Sequence, residues 1–322
     1  NTAVGSKTLL ANTTGYNNTA MGYNTLIANT NGNSNSAYGS FALYSNTTGH
    51  SNTAIGRATL LLNITGERNT ANGNLALSSN TSGNSNTAIG AETLTANTVG
   101  WGNTAIGYQA LTVNTLGIRN TACGWGALTN NTGDDNTAVG LEALSNITLG
   151  VSNTAVGYNA GPIDSLYNTT AIGYNVYINA NNRVCLGNTS VNSIGGQVSW
   201  TNFSDARIKE NVEHDVAGLS FITKLKPVTY NMSVSKTNAL LGVREDKREW
   251  PGKYDIEKIR FSGFIAQEVE QAAKDANYNF SGVDKSGSVL GLRYAEFTVP
   301  LVKAVQEQQL MIEELKKQNA EM

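Results

Sequence analysis

The chain has 322 residues, a formal net charge of −2 and a sequence pI near 5.8, which exceeds one ordinary core and gives no broad attraction to nucleic acid or to an anionic membrane. No apolar run approaches the ~18–20 residues that span a bilayer, so membrane insertion is not expected. The first 200 residues hold 11 charged side chains and the remaining 122 hold 35, which places a boundary near residue 200. The chain opens at Asn1 in mid-repeat and without Met, as a piece of a longer protein would. Cys123 and Cys185 lie far apart with no Cys-x-x-Cys pattern, and His50 and His214 are equally isolated, so neither a metal site nor a Ser-His-Asp triad has its parts and no cofactor is expected.

From Asn1 to about residue 175 the sequence repeats a unit N-T-A-x-G-x-x-x-L-x-x-N-T-x-G-x-x. Its first glycine recurs at Gly5, Gly22, Gly39 and onward to Gly107 in steps of seventeen, then at Gly124, Gly140, Gly157 and Gly173 with sixteens intervening. Leucine follows four residues after most of these glycines, as at Leu26, Leu60 and Leu94, and the pattern lapses at Gly161-Pro162. One repeat per turn of a coil stack fits this period: Thr-Ala-Val/Ile makes a strand with the alanine or the branched residue inward, leucine makes a second inward contact, and asparagines at matching heights form hydrogen-bonded ladders. Each turn offers only about three apolar side chains, and at ~25 cal/mol per Å² this hardly offsets the entropy of ordering a coil. Several chains wound together would bury more. The N-T-A-V-G and N-T-A-I-G units resemble the head repeats of trimeric autotransporter adhesins, whose parallel β-rolls associate in threes, although the period here is longer. A monomeric β-solenoid is the competing architecture. A threonine-rich face binding ice or glycan is a further reading, set against the ordinary use of Thr and Asn as strand and turn formers. Asp and Glu are too sparse before residue 200 for the paired carboxylates of a glycosidase.

Residues 176–203 read as a β neck, with Val184-Cys185-Leu186-Gly187 and then Ser193 to Trp200. Beyond it the composition becomes that of a small α+β domain. Val212 to Leu225 predicts a helix stopped by Pro227, Val228-Thr229-Tyr230 a strand, Phe261 to Ala266 a core strand leading into a helix from Gln267 to Gln271, and Arg244 to Lys258 a solvated loop or hairpin. From Pro300 the chain predicts a helix with Leu301, Ala304, Gln308, Met311, Leu315, Gln318 and Met322 on one seam, which suits either a weak coiled coil or a helix docked on its own domain.

At the boundary stands the run Ser204-Asp205-Ala206-Arg207-Ile208-Lys209. A serine and a lysine five residues apart suit a hydroxyl nucleophile and its general base, and equally a helix N-cap followed by a surface charge. This run, with Leu225-Lys226-Pro227-Val228-Thr229-Tyr230, Gly263 to Val269 and Pro300 to Glu307, resembles the C-terminal intramolecular chaperone of endosialidase and phage tail-fibre proteins. That resemblance implies a domain over 204–322 that trimerises, helps the preceding β-fibre to fold, and then cuts itself off. Carried over, Ser204 is the nucleophile, Lys209 its base, the bond Phe203–Ser204 the cleavage site, and Asp205 and Arg207 supporting residues. The expected assembly is a homotrimer on a virion tail fibre or a bacterial cell surface, with a host-cell or glycan receptor as its outside partner. The alternative is a non-cleaving structural or adhesive fibre with a C-terminal trimerisation domain.

Overall fold

The computed structural model describes residues 1–162, 164–243 and 248–322, and the chain divides into two compact units, Asn1–Asn188 and Thr189–Met322. The first is a parallel β-solenoid. Twelve short strands, from Thr2–Val4 through Thr169–Ile172 to Arg183–Leu186, form one sheet in chain order, each pairing in register with the like residues of the next coil. Thr19, Ala20 and Met21 thus stand against Ser36, Ala37 and Tyr38. The irregular stretch at Gly161–Pro162 forms its own small parallel pair with Tyr177–Ile178.

The core is a column of alanines and a column of leucines. In every strand from Thr19–Met21 to Thr154–Val156 the middle alanine is fully buried and the residue after it faces out. The sequence allows either side chain inside; the alanine wins because a coil of seventeen residues leaves little room behind the sheet. Each leucine of the second column sits in the left-handed backbone region, from Leu9 to Leu144 at φ between 50° and 53°. That conformation costs an L-residue about 1–2 kcal/mol, and fully burying a leucine returns about 1.5–3 kcal/mol.

Two asparagine ladders hold the corners. Asn35 Nδ2 donates to Asn18 Oδ1 at 3.1 Å and to the Gly49 carbonyl at 2.9 Å, while the Asn35 backbone amide donates to the same Asn18 oxygen at 3.0 Å. On the second ladder Asn46 Nδ2 donates to Asn29 Oδ1 at 2.8 Å and to Gly49 O at 3.0 Å. Both ladders converge on the glycine carbonyl at the turn, and a Cβ on Gly49 would lie 2.5 Å from the Gly66 carbonyl of the next coil. Glycine is therefore required there by close approach. The second ladder breaks where one residue is missing between Gly117 and Gly133. Asn114 Oδ1 is left buried without a partner, and in the following coil the apolar Ile147 occupies the ladder position.

The second unit is α+β with a small aromatic core. Helices α1 (Leu219–Ile222), α2 (Val234–Leu241), α3 (Ala266–Asp275) and α4 (Thr298–Glu321) accompany an antiparallel pair, Val228–Tyr230 with Phe261–Gly263, and a short hairpin, Val283–Asp284 with Gly291–Leu292. Phe221, Val269, Ala272, Ala273 and Phe280 are buried together, with Phe264 and Phe297 packed at their edge. The helix expected over Val212 to Leu225 is reduced to the single turn of α1. Glu213-His214-Asp215 offers no apolar face, and Gly218, at φ −90° and ψ −105°, interrupts the helix one residue before Leu219. Of the expected solvated segment Arg244 to Lys258, residues 244–247 lie outside the described residues. The remainder is less solvated than expected, because Lys253 is buried between the Trp250 and Tyr254 rings and donates to Glu249 Oε1 at 2.9 Å. Helix α4 is docked at its start, where Pro300 and Ala304 are buried, whereas Leu310, Met311, Ile312 and Leu315 stand 45–65 % exposed. Among the described residues no helix is long and apolar enough to cross a membrane.

Candidate functional site

Residues 204–209 form one tight turn. Asp205 precedes a single 3-10 turn, Ala206–Ile208, and its Oδ1 accepts from the Arg207 backbone amide at 2.9 Å, the role an aspartate N-cap plays. The Arg207 guanidinium then folds back on the same carboxylate in a fork, Nε to Oδ1 at 3.0 Å and Nη2 to Oδ2 at 2.7 Å. This fork, aided by the backbone donor, holds the Asp205 carboxyl below the ordinary carboxylate range, and the carboxylate raises Arg207 in return. The turn closes with Lys209 N donating to Ala206 O at 3.3 Å.

Closing the turn brings the two ends of the run 204–209 together. Lys209 Nζ donates to Ser204 Oγ at 2.8 Å, across five residues. The four polar residues singled out from the sequence therefore form two pairs on one turn, Ser204 with Lys209 and Asp205 with Arg207. All four are exposed in the single chain, and Phe203 on the N-terminal side of Ser204 is 93 % exposed. A hydroxyl in contact with an amine is one arrangement from which a serine can be activated as a nucleophile, once the amine is neutral.

Two positioning contacts of the same unit escaped the sequence reading. Glu307 Oε2 on α4 accepts from the Leu219 amide at 2.7 Å and so caps α1 from 88 residues away. Tyr294 Oη accepts from the Phe264 amide at 3.1 Å and holds the end of the strand that leads into α3. Their types, a carboxylate in a helix and a tyrosine before a turn, are common, and only the three-dimensional fold gives them partners. Gly218 carries the one local signal, since a Cβ there would lie 2.8 Å from the Ala304 backbone nitrogen, so α1 and α4 approach at a glycine.

The family described as chaperone of endosialidase has a model that matches residues 204–278, beginning at the serine of this turn. The match takes in Ser204 to Val212, Leu225 to Tyr230 and Gly263 to Val269, while Pro300 to Glu307 lies beyond it. No curated protein and no solved structure matches the chain. A chaperone-of-endosialidase match behind a β-solenoid of about seventeen residues per coil fits a tail-fibre-like protein with a C-terminal chaperone.

Proposed function

We propose that the domain over residues 204–322 drives trimerisation and folding of the β-fibre formed by residues 1–175 and the neck over 176–203, and then releases itself by cleaving the Phe203–Ser204 bond. The observation that carries this reading is the 2.8 Å contact between Lys209 Nζ and Ser204 Oγ at the start of the matched domain. In the reaction Lys209, as the neutral amine, takes the Ser204 hydroxyl proton while Oγ attacks the Phe203 carbonyl carbon. The tetrahedral adduct collapses by breaking the bond to the Ser204 nitrogen, which is protonated as it leaves. The product is an ester between Phe203 and Ser204 Oγ beside a free α-amine, and one water hydrolyses it to a Phe203 carboxylate and restores the hydroxyl. The enzyme is a serine autoprotease that acts once, in cis, and needs no cofactor.

An ammonium in water holds its proton at neutral pH, and a lysine becomes a base when its surroundings are desolvated. Lys209 is exposed in the single chain, so the proposal places activation after assembly, when neighbouring copies cover the turn. Uncovered apolar side chains on α4 support such an assembly. The fibre reading puts the protein on a virion tail or a bacterial surface, facing a host-cell or glycan receptor. The exposure of Ser204 and Lys209 also favours the second reading, a fibre whose C-terminal domain only trimerises.

Intact masses under denaturing conditions separate the two. The parent chain is expected as fragments 1–203 and 204–322, with Ser204→Ala and Lys209→Ala uncut and still trimeric by light scattering. A single uncut mass for the parent leaves the trimerisation domain alone, and cleavage persisting in Ser204→Ala removes Ser204 from the mechanism.

A further inference from the structure

The outward face of the solenoid sheet repeats one pair of side-chain types coil after coil. Each strand of the main sheet from Thr19–Met21 to Thr169–Ile172 presents two outward side chains, one on each side of the buried alanine. The first is Thr or Ser in every coil from Thr2 to Thr170, and the second is a large apolar residue in most, among them Val4, Ile55, Ile89, Ile106, Val139 and Ile172. These six are 39–51 % exposed. Asn72 is the polar exception of the second column. None of the eleven charged residues of the first unit stands at an outward strand position; they lie in the turns and on the other faces of the coil, as Arg119 and Asp135 do where they pair across neighbouring coils. A sheet face left to water ordinarily carries charge, lysine above all on strands that must not associate.

Its size and period say what fits it. Twelve strands at about 4.8 Å spacing run for about 53 Å, and three residues per strand give a width of about 10 Å. The resulting face of about 500 Å² pairs a column of Thr and Ser with a column that is mostly apolar, and an uncharged face of this extent with such a column is of the kind that tends to be a contact site. It is about three-fifths of the roughly 800 Å² per partner of a standard interface. Its relief is one ridge per coil, eleven times over, a pattern matched along its whole length by another stack of the same coils. A globular partner meets such a row over a few steps only.

We infer that this Thr-x-Ile face is the surface through which copies of this chain pack along the shaft, parallel and in register, so that each coil meets the same coil of its neighbour. The inference rests on the trimer proposed above and names the face that makes it. It assigns the branched residue of N-T-A-I-G to contact between chains and the alanine to the core within each chain. The mutual burial of one branched side chain per copy per coil supplies the apolar area that a lone coil lacks.

The protein carries its own reporter. Cys123 occupies the outward column, between Ile106 and Val139, and is exposed, whereas Cys185 lies at the inward position of its strand. In register, Cys123 faces Cys123 of the neighbouring copy. The full chain with Cys185→Ser is treated with a short bis-maleimide and run under denaturing conditions, beside a chain with Cys185→Ser, Cys123→Ser and Val113→Cys, whose thiol is on a different part of the coil. The expected result is a majority of chains in covalent dimers from Cys123, with at least a tenfold lower yield from Val113→Cys. A trimeric mass with no excess of crosslinking at Cys123 overturns this face and leaves the trimer standing. A monomeric mass overturns both.

Discussion

Asn69 shows how much one amide carries in the coil stack. Its Nδ2 donates to Asn52 Oδ1 at 3.2 Å and to Gly83 O at 2.8 Å, and its Oδ1 accepts both the backbone and the side-chain N–H of Asn86, at 3.0 and 3.2 Å. Asn69→Ala removes all four and strands the buried Asn86 backbone N–H, at about 1–3 kcal/mol for an unsatisfied group, while Gly83 O keeps its bond from Asn80 Nδ2 and Asn52 Oδ1 keeps the Asn69 amide. A loss of about 2–4 kcal/mol is expected, read as a lowered denaturant midpoint and as faster hydrogen exchange at the Asn86 amide, with coils far from the substitution little affected. The turn at Ser204 makes a prediction of a different kind. Asp205 is held below the ordinary carboxylate range first by the Arg207 side chain and then by the Arg207 amide. A depressed folded value means that the contribution of the pair is fully present above the unfolded pKa of ~3.9 and is lost as pH falls through the lower folded value. The Arg207 amide resonance is therefore expected to stay unchanged from neutral pH down to about 4 and to move only below it. In Asp205→Asn that step disappears, and an unchanged step there assigns it to another group.

At the scale of elements, α4 secures α1 through a single carboxylate. Glu307→Gln keeps an acceptor near the Leu219 amide but gives up its charge, and about 1 kcal/mol of stability is expected to go with it. Gly218→Ala drives a methyl against the Ala304 nitrogen and costs about 1–3 kcal/mol by overpacking. Both are checked by the thermal midpoint of the intact chain followed at the tyrosine signal, and two unchanged midpoints remove the docking of α1 on α4 from the stability of this unit. The same elements show what a sequence can disclose. The coil stack was legible because glycine keeps its place in each repeat and leucine in most, and so were the asparagine ladders. The left-handed backbone at each leucine was not, since leucine is a poor sequence marker for positive φ and the coil imposes it. Helix α2 was overlooked although Ser233 caps it, with its Oγ accepting from Lys236 N at 3.4 Å, and Gly242 stops it at φ 70°. Ser204 and Lys209 were legible because both ends of their contact lie in one six-residue run. Glu307 and Tyr294 were not, because their partners lie 88 and 30 residues away and nothing local marks them.

For the whole molecule the difficulty is registration. Within one chain each coil pairs with the coil seventeen residues away, a short separation, so a single solenoid forms from near-local contacts. Bringing three such stacks together in register is non-local, and a stack of near-identical coils can slip by one repeat and still satisfy most contacts. In the proposed assembly, a trimerising domain joined to each shaft by the neck raises the local concentration of the other two and fixes which coil meets which. In the proposed mechanism, cutting the Phe203–Ser204 bond afterwards leaves a shaft that holds its register but has lost the means of finding it. Kinetic stability of this sort predicts an asymmetry between cut and uncut protein. Uncut Ser204→Ala, unfolded in denaturant and diluted, is expected to regain the parent trimer mass. The cleaved parent treated in the same way is expected to recover less than a tenth of it within a day, and adding fragment 204–322 in trans is expected not to help, because the covalent link is what sets the local concentration. Equal recovery of the two proteins would show that the shaft registers itself, and the C-terminal domain would then have to act at some step other than assembly.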